Sequence, residues 1–173
     1  SSLKAETQRV VLALDISIEK IEENWFIKSS RFEPCLIRIN KNYVYDSREM
    51  QNDSSYQLAM NIIGNVNENW KTHSTHLVEH VSDSHKLVEW MMILYNCKAA
   101  EVLKIENMGI FRSLTTSPSQ LKATVPSDIS TFVKGWHSSG GNYTREPSVK
   151  HDIIGEIYAH TTSPIRRLVD FIN

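Results

Sequence analysis

A chain of 173 residues has the length of one average domain and can bury roughly two-thirds of the surface its unfolded form would expose. Apolar residues at 40% and charged residues at 23% exclude wholesale disorder. Nineteen basic against twenty acidic residues leave a net charge of −1, so any nucleic-acid site has to be a local patch.

Residues 9–17 (RVVLALDIS) form an aliphatic, β-branched run of strand length. Residues 25–29 and 35–39 read as two further strands divided by Pro34, with Tyr43 and Tyr45 on an alternating strand or its exit. Asp53 or Ser54 then caps a helix expected to run to Trp70. Its stripe is Tyr56, Ala59, Met60, Ile63, Val66 and Trp70, at three- and four-residue steps, with Gly64 as a weak point. Residues 72–81 (THSTHLVEHV) fit a strand. Asp83 or Ser84 caps the strongest helix, 86–106, which is nearly apolar all round at its centre and is expected to be buried on most sides. On it Glu89 and Asn96 lie seven residues apart, on one face. Both are expected to be buried and to open together on a cavity, since an unpaired buried polar group costs ~1–3 kcal/mol.

Residues 113–131 and 134–147 read as loop, with the Gly140-Gly141 pair at a turn. A closing helix is expected to start at Ser163 and Pro164, capped by Ser163. Strands followed by helices give an α+β class, with a mixed or antiparallel sheet packed against helices. Cys35 and Cys97 read as free, buried thiols in a reducing compartment, cytoplasmic or nuclear. The longest apolar run, residues 90–95, is far shorter than the ~20 residues of a membrane span. No Gly-rich phosphate loop and no charged-then-apolar leader is present. The opening Ser-Ser and the helix cut short at Asn173 give the expectation of an excised piece.

The segment 158–167 (YAHTTSPIRR) is the most informative. A proline-started helix offers unpaired N–H groups and a positive dipole end, and two arginines there are relieved by an anion. An anonymous arginine pair reads first as a solvated helix face. Set beside His160, Thr161, Thr162 and Ser163, it reads as phosphate binding.

HTTSPIRR resembles the HFTSPIRR signature of the ribonuclease II (RNB) exoribonuclease family, which includes ribonuclease R. Three more segments agree with that family in order and rough spacing. LVEWMMILYNCKAAEVL (87–103) is similar to its LVEEFMLLANxxVAxxL helix, INKNYVYDSREM (39–50) to its SxxRLTYexxQ segment, and Arg145-Glu146-Pro147 with His151 and Gly155 to the approach to the signature. The resemblance implies a hydrolytic, magnesium-dependent 3′→5′ exoribonuclease that releases nucleoside 5′-monophosphates from single-stranded RNA. It implies that Arg166 stabilises charge on the scissile phosphate and that Glu89 and Tyr45 hold the terminal nucleotides. Asn96 has a supporting role, and His160, Thr162, Ser163 and Arg167 are phosphate or cap contacts by proximity to Arg166.

Two departures are mild: Trp90 replaces the family's second helix glutamate, and Leu168 its aromatic after the double arginine. The family's DPxxAxDxDD-type metal-binding run does not occur, and Asp46, Asp53 and Asp83 stand apart. Residues 1–173 are therefore expected to be part of an RNB-like domain, lacking its metal-binding beginning and final helices and inactive alone. Its partners would be RNA, the rest of the nuclease domain and flanking cold-shock or S1-type domains, with no membrane. The alternative is an inactive RNB-like module that grips single-stranded RNA or scaffolds a partner; a domain without an RNA role would leave four ordered matches as coincidence. His73, His76 and His80 could gather for zinc only on a helix, and strand alternation separates them. Ser163, His160 and Asp170 lack a nucleophile elbow and do not read as a triad.

Overall fold

The structure is a computed structural model, and it describes residues 5–71, 78–114, 141–148, 150–151 and 154–173. Strand β1 (Gln8–Ile21) pairs antiparallel with β2 (Asn24–Arg38), from Gln8↔Arg38 to Ile21↔Asn24. Lys28 is the extra residue of a bulge facing the Ser17–Ile18 step. Glu22 and Glu23 make the two-residue turn, with Glu22 at φ 54°. The sequence divides β2 at Pro34, but the strand runs through it. Pro34 faces Leu12 in a two-stranded sheet, where the outer side of each strand has no ladder to lose. Tyr43 and Tyr45 lie past the strand, on its exit.

A short helix that periodicity does not reveal, α1 (Arg48–Gln51), is capped by the Ser47 hydroxyl accepting from the Met50 N–H at 3.3 Å. Helix α2 (Ser54–Lys71) starts where expected: the Asp53 carboxylate accepts the N–H groups of Ser55 and Tyr56 at 2.8 and 3.1 Å. It lies on β2 for a polar reason as well as an apolar one. Asn65 Oδ1 accepts the Trp25 N–H at 2.7 Å, and Asn69 Nδ2 donates to the Trp25 carbonyl at 3.0 Å, so both edge groups of that residue are satisfied.

Helix α3 (Ser84–Ile105) is capped by Asp83, whose Oδ1 accepts the Lys86 N–H at 2.9 Å. Leu87, Trp90 and Leu94 are buried, whereas Val88, Met91, Val102 and Ile105 are exposed. The expectation of burial on most sides holds at the helix centre, where Ile93, Leu94, Asn96, Cys97, Ala99 and Ala100 are all buried, and fails toward the two ends. Two compact units divide within α3, Ser1–Tyr95 and Asn96–Asn173. In the first, Ile63 and Val66 of α2 and Leu87, Trp90 and Leu94 of α3 supply buried apolar side chains. In the second, Ala100, Phe111 and Ala159 form the core, with Leu103 and Ile157 against it.

The second unit holds β3 (Phe111–Ser113) paired antiparallel with β4 (Asn142–Thr144), a strand inside a stretch that the sequence reads as loop. Its last element, α4 (Leu168–Ile172), starts later than expected. The Ser163 carbonyl accepts the N–H groups of both Arg166 and Arg167 at 3.2 Å, which makes a single turn; the extended backbone of Arg167 (φ −129°, ψ 121°) then breaks it before α4. Ser163 therefore does not cap a helix, and the five-residue α4 offers no anion site of the kind the sequence implies. The strand expected over 72–81 lies mostly outside the described residues, and 78–81 is not strand. Antiparallel pairs with helices following them make the fold α+β. Among the described residues no helix is long and apolar enough to cross a membrane.

Candidate functional site

In the first unit the loop between β2 and α1 carries an aromatic site. Tyr45 is half exposed and stacks on His85, with ring centroids 4.1 Å apart and planes 14° from parallel. Asp46, at φ 55°, is tied to the start of α3: its N–H donates to Ser84 Oγ at 3.1 Å, and the Ser84 hydroxyl donates to Asp46 Oδ1 at 2.6 Å. Nearby, Tyr43 donates its hydroxyl to Asp53 Oδ2 at 2.7 Å, and that bond, with the N–H groups of α2, holds the Asp53 carboxyl below its usual range. Glu89 is not buried as expected. Its side chain is 43% exposed and paired with Lys86 at 2.7 Å, because the Lys86 stem reaches it along the same helix turn.

In the second unit Asn96 is fully buried and fully used. Its Oδ1 accepts the N–H and hydroxyl of Thr161 at 3.0 and 2.8 Å, and its Nδ2 donates to Tyr158 Oη at 2.8 Å and lies 3.5 Å from Thr162 Oγ1. This staples the TTS segment to α3. It places Asn96 behind the segment, with no surface for a ligand.

His160 is buried as well, with Nε2 3.2 Å from Arg112 Nη1 and Nδ1 2.8 Å from Tyr143 Oη. A guanidinium can only donate, so Nε2 accepts and Nδ1 carries the proton toward Tyr143. Burial, with Arg167 and Arg112 nearby, lowers the His160 pKa to about 4, so the ring is neutral at pH 7. A neutral imidazole with both nitrogens engaged holds no phosphate; its work is to seat the segment.

Asp170 is the third anchor. Its buried carboxylate accepts a two-pronged pair from Arg167, Nε to Oδ2 and Nη2 to Oδ1, each 2.6 Å, and also the Ser163 N–H at 2.9 Å. Burial opposes its charge, but the Arg167 guanidinium and the Ser163 N–H prevail and hold its pKa down. Arg167 is thereby turned inward, and Ser163, His160 and Asp170 have separate partners instead of a relay. Thr162 and Ser163 are partly exposed on the same segment. Arg166 is exposed, and no ion pair engages it among the described residues.

His80 sits 3.3 Å from Glu68, while His73 and His76 lie outside the described residues. Among the described residues no group of three or more His, Cys, Asp or Glu side chains could hold a metal ion. Sequence reasoning missed His85, Asp46, Arg112 and Tyr143. Only His85 left a signal, as a histidine in the first turn of a capped helix.

No family model and no curated protein matches the chain. Solved structures do. An active-site mutant of the Dss1 exoribonuclease from Candida glabrata superposes with a TM-score of 0.73 at 17% identity, over 99% of this chain and 28% of that one. RNase R of Mycoplasma genitalium in complex with double-stranded RNA gives 0.64 at 17% identity, over 98% of this chain and 42% of that one. The same enzyme with ribose-methylated single-stranded RNA gives 0.63 at 17% identity, over 98% and 36%. The chain thus shares the fold of a part of these proteins, spanning less than half of their length.

Proposed function

We propose that the chain is part of a hydrolytic 3′→5′ exoribonuclease of ribonuclease II type, acting on single-stranded RNA and releasing nucleoside 5′-monophosphates. The observation that carries the reading is Arg166. It is an exposed guanidinium carried by a segment that Asn96, His160 and Asp170 anchor, so a permanent cation stands on a fixed stretch of backbone before any substrate arrives. A planar fork of donors fits a phosphate, and it stays charged at every working pH. The shared fold with Dss1 and RNase R and the four ordered sequence matches support the same reading.

Tyr45 and Glu89 would hold terminal nucleotides, and Arg166 would meet charge growing on the scissile phosphate. The described residues do not fit a magnesium site, so magnesium dependence is proposed for the native protein with ligands other than these. A second reading, an RNB-like module that binds RNA without cleaving it, is favoured by the lack of an Asp-rich run in this sequence. Incubating the native protein with end-labelled single-stranded RNA and magnesium separates the two. Stepwise release of mononucleotides, abolished by EDTA, is expected for the enzyme; retention of intact RNA in a complex would leave the binder, and no complex at all would overturn both.

A further inference from the structure

Two side chains that would ordinarily be separate surface residues stand face to face. The rings of Tyr45 and His85 are stacked at 4.1 Å, although 50% of Tyr45 and 63% of the His85 side chain remain exposed. Burial does not hold them together, so local bonding does. Asp46 takes a left-handed backbone, φ 55°, which aspartate tolerates better than most residues, and the turn aims the preceding Tyr45 at the start of α3. Its bonds with Ser84 keep that turn in place, and its Oδ2 lies 3.7 Å from His85 Nε2, at the edge of the imidazole. A turn kept by specific bonds beside an exposed aromatic pair points to use.

An aromatic ring backed on one face presents the other at a fixed tilt. That is the requirement for stacking an unpaired base, since every base has a π-face and an ordered ring loses little freedom on binding. We propose that His85 is a positioning residue that backs Tyr45, making the outer face of the Tyr45 ring a stacking platform for a base of single-stranded RNA; this rests on the function proposed above. His85 supplies the flat backing, while Tyr45 makes the contact.

The test uses the native protein and a fluorescein-labelled single-stranded RNA oligonucleotide, with affinity read by anisotropy and the Tyr45 ring protons followed by NMR. Tyr45→Ala should weaken binding roughly tenfold. His85→Ala should weaken it about three- to fivefold and remove the ring-current shift of Tyr45. His85→Phe, which keeps a flat ring, should restore both to near the unsubstituted protein. If Tyr45→Ala weakens binding while His85→Ala does not, the backing role is wrong and the RNA reading survives. Failure of His85→Phe to rescue would assign the effect to histidine's own chemistry and overturn the stack. Absence of saturable RNA binding by the unsubstituted protein would remove the functional reading and the platform with it.

Discussion

The side-chain oxygen of Asn96 accepts both the backbone N–H and the hydroxyl of Thr161, at 3.0 and 2.8 Å. With the amide nitrogen bonded to Tyr158, one residue of α3 fixes the path of residues 158–162. The choice of asparagine follows from this. It must accept twice on one side and donate on the other, which neither aspartate nor leucine can do.

Asn96→Leu keeps the volume and removes every one of these bonds. Leaving the Thr161 N–H and the Tyr158 hydroxyl short of partners should cost about 3 kcal/mol. Urea denaturation of the two proteins at pH 7 measures it, and a loss below ~1 kcal/mol would show that the segment is held elsewhere.

His160 gives the protein an acid-sensitive step. Its folded pKa of about 4 lies below the ordinary value of 6.5, so the neutral ring is the form that the fold accepts. Above pH 6.5 both folded and unfolded states are neutral and the contribution is complete; as pH falls from there toward 4 the unfolded state takes the proton first and stability declines. The total is on the order of 3 kcal/mol. His160→Gln, which cannot ionise, should flatten this part of the stability–pH curve even if it lowers the plateau. An unchanged slope would assign the acid sensitivity to other groups.

The sequence displayed the long helices because Asp53 and Asp83 cap them and apolar residues repeat along them at helical spacing. It showed Asn96 for a related reason: an amide in a buried stripe demands a partner. The role of His160 was not legible, because Arg112 and Tyr143 are 48 and 17 residues away in sequence. The late start of α4 was hidden too. Ser-Pro ahead of two arginines has the pattern of a capped helix start, and only the buried Asp170, which takes both the Ser163 N–H and the Arg167 guanidinium, reveals a separate turn. Likewise, Pro34 marks a break in most strands, but not on the open side of a two-stranded ladder.

Two glycines should respond oppositely to alanine. A Cβ on Gly64 meets nothing within 4 Å. Gly64→Ala therefore only removes backbone freedom in α2 and should stabilise by ~0.5–1 kcal/mol. A Cβ on Gly141 would lie 2.6 Å from Arg112 Nε and 3.2 Å from the Ser113 carbonyl. Arg112 cannot yield freely while it donates to His160, so Gly141→Ala should destabilise by ~1–3 kcal/mol. By displacing a cation from His160 it should also raise that histidine's pKa, which NMR titration would reveal. A stable Gly141→Ala protein with an unmoved His160 titration would refute the close approach.

Arg166 and Arg167 are neighbours in sequence with different work, and paired substitutions separate them. Arg167 is committed to buried Asp170, so Arg167→Ala strands a carboxylate and should cost about 2–3 kcal/mol of stability. Arg166 is exposed and makes no side-chain bond to any described residue, so Arg166→Ala should leave stability within ~0.5 kcal/mol. The order reverses in RNA hydrolysis by the native protein. If Arg166 acts mainly as charge accumulates on the phosphate, Arg166→Ala should lower kcat by roughly two to three orders of magnitude, as loss of one transition-state donor does. Affinity for RNA should fall much less, since other backbone contacts remain. Arg166→Lys should recover only part of the rate, because a point charge cannot offer two parallel donors. Single-turnover cleavage at saturating RNA, measured beside binding, decides the matter. An Arg166→Ala protein that loses affinity but cleaves bound RNA at the normal rate would make Arg166 a grip on the strand, and its assignment to the scissile phosphate would be wrong.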